Sequence, residues 1–136
     1  WILCLMVKKT PSPAKLRELV MQALYQKEMT GSSNTDLIKQ FKQNYKNLNL
    51  KNFETYLKEI KKNILDIDST IDKHTNINID QISKIELAIL KQAIYEIKNS
   101  NLDKPVIISE AIRLAKRFGQ DSSHKFVNAL LDKAAN

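Results

Sequence analysis

The chain has 136 residues, a formal net charge of +7, two glycines and a single cysteine. A chain of about this length is expected to form one domain that builds a core without disulfide bonds. One cysteine excludes an intrachain disulfide, which fits a reducing cytoplasm, and with two distant histidines it offers too few soft ligands for zinc. Two glycines are too few for a glycine-rich phosphate loop. Composition therefore favours a binding protein without a cofactor over an enzyme.

The N-terminal residues divide into an apolar run and a basic run. Residues 1–7 are too short to span a bilayer and lack the flanking signals of a secretory leader, so we interpret them as a non-native leader, with Met6 a candidate start. Four cations follow without an intervening acid, namely Lys8, Lys9, Lys15 and Arg17. Such a run is typical of an arm that binds nucleic acid, although a solvated tail explains it equally well.

The rest of the chain reads as helical throughout, because glycine and proline are rare and no alternating pattern persists. The pattern predicts an all-α bundle of about seven helices in a single domain, residues 14–136, after an arm of residues 1–13. The predicted helices begin near Pro13, Asp36, Asn49 or Asn52, Ile67, residue 81, Pro105 and Ser123. The helix at about 81–98 is apolar on most of its circumference, so we predict that it is the most buried helix.

Two apolar stripes define the faces that should point inward. One is predicted at Phe53, Tyr56, Leu57, Ile60, Ile64 and Leu65, and the other at residues 108, 111, 112, 115 and 118. Gly119 follows the second stripe, where a left-handed residue would end the helix.

A polar corner between the last two helices is the best candidate for a binding site. It should bring Phe118, Lys125 and Phe126 close together. Lys125 lies in the first turn of a helix, where its charge opposes the helix dipole, and a bound phosphate would reverse that cost. Aromatic rings beside cations are what single-stranded RNA recognition uses, although an aromatic residue at helical spacing is more often part of the core.

Three stretches resemble the NusB family of transcription antitermination factors. Residues 109–132 contain SEAIRLAKRFG followed by SHKFVNALLD, which resembles the C-terminal signature of the family. RELVMQALYQ at 17–26 resembles its first helix, and ELAILKQAIYEI at 86–97 resembles its central helix. The resemblance extends from about residue 14 to the end of the chain.

The resemblance implies a fold of two packed helical subdomains and a function in the cytoplasm, without catalysis. It implies that boxA RNA is bound together with a small-subunit ribosomal protein, NusE, within an elongation complex of other Nus factors and RNA polymerase. It leaves the choice between monomer and homodimer open. With the basic arm included, the expected RNA contacts are Lys8, Lys9, Lys15, Arg17, Gln22, Tyr25, Glu86, Phe118, Ser122, Lys125 and Phe126. The expected protein-partner contacts are Asp80 and Glu86.

Two departures from the family pattern bear on RNA binding. The family often has an arginine-rich stretch before its first helix, whereas this chain has Lys15 there. A lysine ammonium cannot donate the two parallel hydrogen bonds that an arginine guanidinium donates to a phosphate. Ser122 stands where a well-known member has an aspartate, which removes a negative charge beside the expected RNA path. Two other interpretations stay open: a helical scaffold that binds only proteins, and a severed NusB-like domain of an RNA cytosine methyltransferase.

Overall fold

The structure is a computed structural model that describes residues 8–136, so the interpretation of residues 1–7 as a leader lies outside the described residues. Seven α-helices are present in this part of the chain: α1 Pro13–Thr30, α2 Asn34–Asn44, α3 Lys51–Lys62, α4 Ile64–His74, α5 Lys84–Asn99, α6 Lys104–Phe118 and α7 Ser123–Ala135. A short 3-10 helix, Ile79–Gln81, precedes α5. Between residues 8 and 136 the only β-type pairing is an isolated bridge joining Lys9 to Leu48. The all-α prediction is therefore confirmed.

The helices form two compact units, with the boundary between Glu59 and Ile60. This division agrees with the two helical subdomains that the family resemblance implied. None of the helices within residues 8–136 is long and apolar enough to cross a membrane.

The first unit is built around α1, whose two ends are both capped. The Ser12 hydroxyl accepts a hydrogen bond from the Lys15 amide at 3.1 Å, and Pro13 occupies the first turn. The helix ends at Gly31, whose φ of 71° is left-handed and whose amide donates to the Lys27 carbonyl at 2.8 Å. These are the usual devices that start and stop a helix. The buried apolar side chains of this unit include Leu19, Val20, Leu24, Leu37, Phe41 and Phe53.

The second unit is built around α5, which packs against α4, α6 and α7. Nine residues of α5 are buried, and Ile89 and Ile94 are 1% and 0% exposed. The prediction that this helix is the most buried is confirmed for the described residues. Burial of both sides explains why its sequence is apolar nearly all round.

The predicted stripe across residues 53–65 is wrong at its C-terminal end. Leu65 is 84% exposed, although Phe53, Leu57 and Ile60 are buried as expected. The chain turns at Asn63 between α3 and α4, so the helical phase set by α3 does not continue into α4.

The inward face of α6 is also rotated from the prediction. Ile107, Ala111, Leu114 and Ala115 are buried, whereas Ile108 and Ile112 are only half-buried. The apolar residues of α6 cover a wide arc of the helix, so the sequence alone is compatible with two inward orientations. Packing against α5 and α7 determines which of these orientations the helix adopts.

Gln92 on α5 is a buried polar residue whose removal should stabilise the fold. It is 2% exposed, and neither of its amide atoms has a hydrogen-bond partner in the described part of the chain. An unpaired buried polar group costs about 1–3 kcal/mol. We expect Gln92→Met, which keeps the length of the side chain, to raise the free energy of unfolding by about 1 kcal/mol or more.

Chemical denaturation of Gln92→Met beside Gln43→Met tests this expectation. Gln43 is exposed on α2, so its substitution should change stability by less than about 0.5 kcal/mol. A Gln92→Met protein that is less stable than the parent would contradict it.

Candidate nucleic-acid interface

The basic arm is tied to the first unit through the main chain of Lys9. Its amide donates to the Asn47 carbonyl at 3.0 Å, and its carbonyl accepts from the Asn49 amide at 2.8 Å. The side chains of Lys8 and Lys9 are both exposed. Two backbone hydrogen bonds thus hold the arm at Lys9 and leave the two ammonium groups in solvent.

The candidate residues of α1 differ in how far solvent reaches them. The Lys15 ammonium lies 3.9 Å from the Glu18 carboxylate and 5.5 Å from the centroid of the Tyr45 ring. Gln22 and Tyr25 are half-buried, and Lys15 and Gln22 are seven residues apart, so they share a face of the helix. Arg17, by contrast, is only 7% exposed. Lys15 therefore offers more charge to a ligand than Arg17 does.

Gly119 makes the corner between α6 and α7 tight, but not in the predicted way. Its φ is −92° and its ψ is −176°, so the prediction of a left-handed cap is wrong. The need for glycine is steric instead. A Cβ at this position would lie 2.7 Å from both the Ala115 carbonyl oxygen and the Ser123 Cβ, closer than real Cβ atoms approach. The missing side chain is what lets the start of α7 close on the end of α6.

Hydrogen bonds around Ser123 hold this corner. The Ser123 side chain is buried, its hydroxyl accepts from the Gln120 amide at 3.0 Å, and its own amide donates to the Gln120 carbonyl at 3.0 Å. Ser122 stands at the N-cap of α7, but its side chain makes no capping hydrogen bond. The first turn of α7 is thus fixed by Ser123 without a side-chain cap from Ser122.

The candidate side chains of the corner are accessible. Ser122 and Lys125 are exposed, and Phe118 and Phe126 are each half-buried, which confirms the expected partial burial of Phe118. The Arg117 guanidinium lies 5.0 Å from the centroid of the Phe118 ring, a cation–π contact that helical spacing did not predict. Phe118 is therefore a half-buried ring beside a cation, and Phe126 is a half-buried ring that follows the exposed Lys125 in sequence.

The candidate partner residues lie at the start of α5. Asp80 is exposed in the 3-10 helix, and Glu86 is half-buried in the first turn of α5. The Ser83 hydroxyl caps α5 by accepting from the Glu86 amide at 3.2 Å. The cap fixes the backbone from which the Glu86 carboxylate projects.

The expected RNA contacts therefore form two groups, one in each unit. The first group belongs to the arm and α1, and the second belongs to the start of α5 and the corner. The sequence of the chain was compared with those of known protein families. The model of the NusB family matches residues 14–136. The chain belongs to the NusB family.

Curated relatives agree with this assignment over nearly their whole length. The transcription antitermination protein NusB of Tolumonas auensis is 37% identical over 122 residues, which are 88% of this chain and 88% of the relative. That of Mannheimia succiniciproducens is 37% identical over 134 residues, 95% of this chain and 93% of the relative. An Escherichia coli NusB is 35% identical over 130 residues, 93% and 94% of the two chains.

Solved structures share the NusB fold. T. maritima NusB has a TM-score of 0.82 and 29% identity, with 93% of this chain and 92% of that chain covered. A chain in a crystal structure of the antitermination factors NusB and NusE in complex with dsRNA has a TM-score of 0.78 and 23% identity, with 90% and 94% covered. At that identity, the second likeness supports the fold alone.

Proposed function

We propose that this chain is a transcription antitermination factor that binds boxA-type RNA together with the small-subunit ribosomal protein NusE. Its role is to promote read-through by RNA polymerase, notably in ribosomal RNA operons, with other Nus factors in the elongation complex. The observation that carries this proposal is the match of residues 14–136 to the NusB family. Binding rather than catalysis is the function, and it takes place in the cytoplasm.

The RNA contacts follow from chemistry and accessibility, with residues 14–136 acting as one RNA-binding domain. Exposed ammonium groups of Lys8, Lys9 and Lys125 would neutralise phosphates, and the half-buried ring of Phe126 would stack on a base. Tyr25 and Phe118 would also stack on bases, and Lys15 would add a phosphate contact. Hydrogen bonds to the RNA would come from Gln22, Glu86 and Ser122. Arg17, which is only 7% exposed, would contribute less than Lys15.

The protein partner would bind at Asp80 and Glu86. Asp80 in the 3-10 helix and Glu86 in the first turn of α5 are acidic side chains that fit a basic ribosomal protein, because opposite charges steer association. Membership of the NusB family supports this choice of partner, since a NusB of that family has been crystallised with NusE and dsRNA.

The other two interpretations are less well supported. A severed methyltransferase domain would match a part of much longer enzymes, whereas the relatives above are antitermination proteins covered over 88–94% of their own length. A scaffold that binds only proteins would not need exposed lysines and half-buried rings at the same corner.

RNA binding measured with and without NusE tests the proposal. We expect the chain alone to bind RNA weakly and with little sequence preference, since a small basic surface gives mostly salt-sensitive affinity. With NusE present, boxA RNA should bind more tightly than a scrambled RNA of equal length and composition. Equal affinity for the two RNAs in the presence of NusE would reject the proposal.

A further inference from the structure

A shallow, open groove with a basic lining lies on one face of α6. Its volume is about 490 Å³, and it is lined by Ser109, Ile112, Arg113, Lys116 and Arg117. These positions are separated by three or four residues, so they share one side of the helix over two turns. The family resemblance assigned no function to any of them.

The lining of this groove carries more positive than negative charge. Arg113 is paired with Glu110, whose carboxylate lies 2.7 Å from the Arg113 Nε. Lys116 is exposed and forms no ion pair within residues 8–136, and Arg117 is exposed as well. Arg113, Lys116 and Arg117 therefore place three cationic side chains along the lining of the groove, which favours an anionic ligand.

The basic face is continuous with the RNA-binding corner proposed above. Arg117 lies 5.0 Å over the ring of Phe118, one of the proposed base-stacking residues. Arg113 lies four residues before Arg117, which is roughly 6 Å along the axis of α6. Ile112 adds an apolar side chain to the lining. A cationic groove that leads to an aromatic ring is the arrangement with which proteins follow single-stranded nucleic acid.

We infer that the α6 face formed by Arg113, Lys116 and Arg117 binds the phosphate backbone of nucleotides that flank the boxA element. This inference rests on the proposed function. The α6 face lengthens the RNA path from the corner but does not read the boxA sequence, because phosphate contacts position RNA without specifying bases.

The variant Arg113→Gln/Lys116→Gln tests this inference, because neither residue is the one that stacks on Phe118. The control is Lys73→Gln/Lys133→Gln, which removes the same charge from two exposed positions of the same unit. Each protein, with NusE, is titrated with a minimal boxA RNA and with boxA RNAs lengthened by uridines at the 5′ end, the 3′ end or both. The titrations are repeated over a range of salt concentrations.

The wild type and the control variant should bind one of the lengthened RNAs more tightly than the minimal RNA. Arg113→Gln/Lys116→Gln should abolish that gain, keep the affinity for minimal boxA RNA, and lower the salt slope on the lengthened RNA by about 0.7 for each phosphate that the variant no longer neutralises. The inference is overturned if this variant keeps the gain, if the control variant abolishes it equally, or if the variant instead fails to bind NusE. Failure of the wild type to prefer boxA over scrambled RNA would reject the proposed function itself.

Discussion

Truncation of Phe126 to alanine should weaken binding of boxA RNA by about 1–3 kcal/mol, while the melting temperature changes little. Its ring is half-buried in the first turn of α7, next to Val127, which is fully buried and carries the packing of that turn. We therefore expect the exposed part of the Phe126 ring to stack on a base. RNA titrations and thermal melts of the same preparations give both quantities.

Two other substitutions calibrate this result. Phe53→Ala, at a ring that is 0% exposed, should cost roughly 3–5 kcal/mol of stability, as core truncations do. Lys125→Ala should remain folded and lower the salt slope of RNA binding by about 0.7, the value for one phosphate contact. The assignment of Phe126 fails if Phe126→Ala unfolds the protein while Phe118→Ala melts normally and no longer binds RNA.

A methyl group at Gly119 should destabilise the second unit by about 1–3 kcal/mol, the usual cost of overpacking. The added Cβ would lie 2.7 Å from the Ala115 carbonyl oxygen and from the Ser123 Cβ, so the end of α6 or the start of α7 would have to shift. Because Lys125 and Phe126 follow directly, Gly119→Ala should also weaken RNA binding. Thermal melts and RNA titrations measure both effects.

Gly31 supplies the matched control, since the two glycines are needed for different reasons. Its φ is 71° but no atom lies within 4 Å of a Cβ built there, so the constraint is conformational. Asparagine tolerates this conformation, and Gly31→Asn should melt close to the wild type. A Gly119→Ala protein as stable as Gly31→Asn would show that the corner is not sterically closed.

Local signals in the sequence were sufficient to predict most helices. Ser12 and Pro13 determine the start of α1 because a hydroxyl cap and a fixed φ act within one turn. The apolar circumference of residues 81–98 predicted a buried helix, since such a segment has no polar side to turn towards water. The motifs at both ends and in the centre also indicated the NusB family, which the match to residues 14–136 confirmed.

Tertiary structure determined which side of each helix faces inward and which side chains a ligand can reach. Leu65 continues an apolar stripe in sequence but is exposed, because the turn at Asn63 resets the helical phase. Gly119 looked like a left-handed cap, yet the Ser123 side chain packed against it is what requires glycine. The accessibility of Lys15, the burial of Arg17 and the placement of Arg117 over Phe118 likewise depend on packing. Residue type sets what a side chain can bind, but only the packed neighbours determine whether a ligand can reach it.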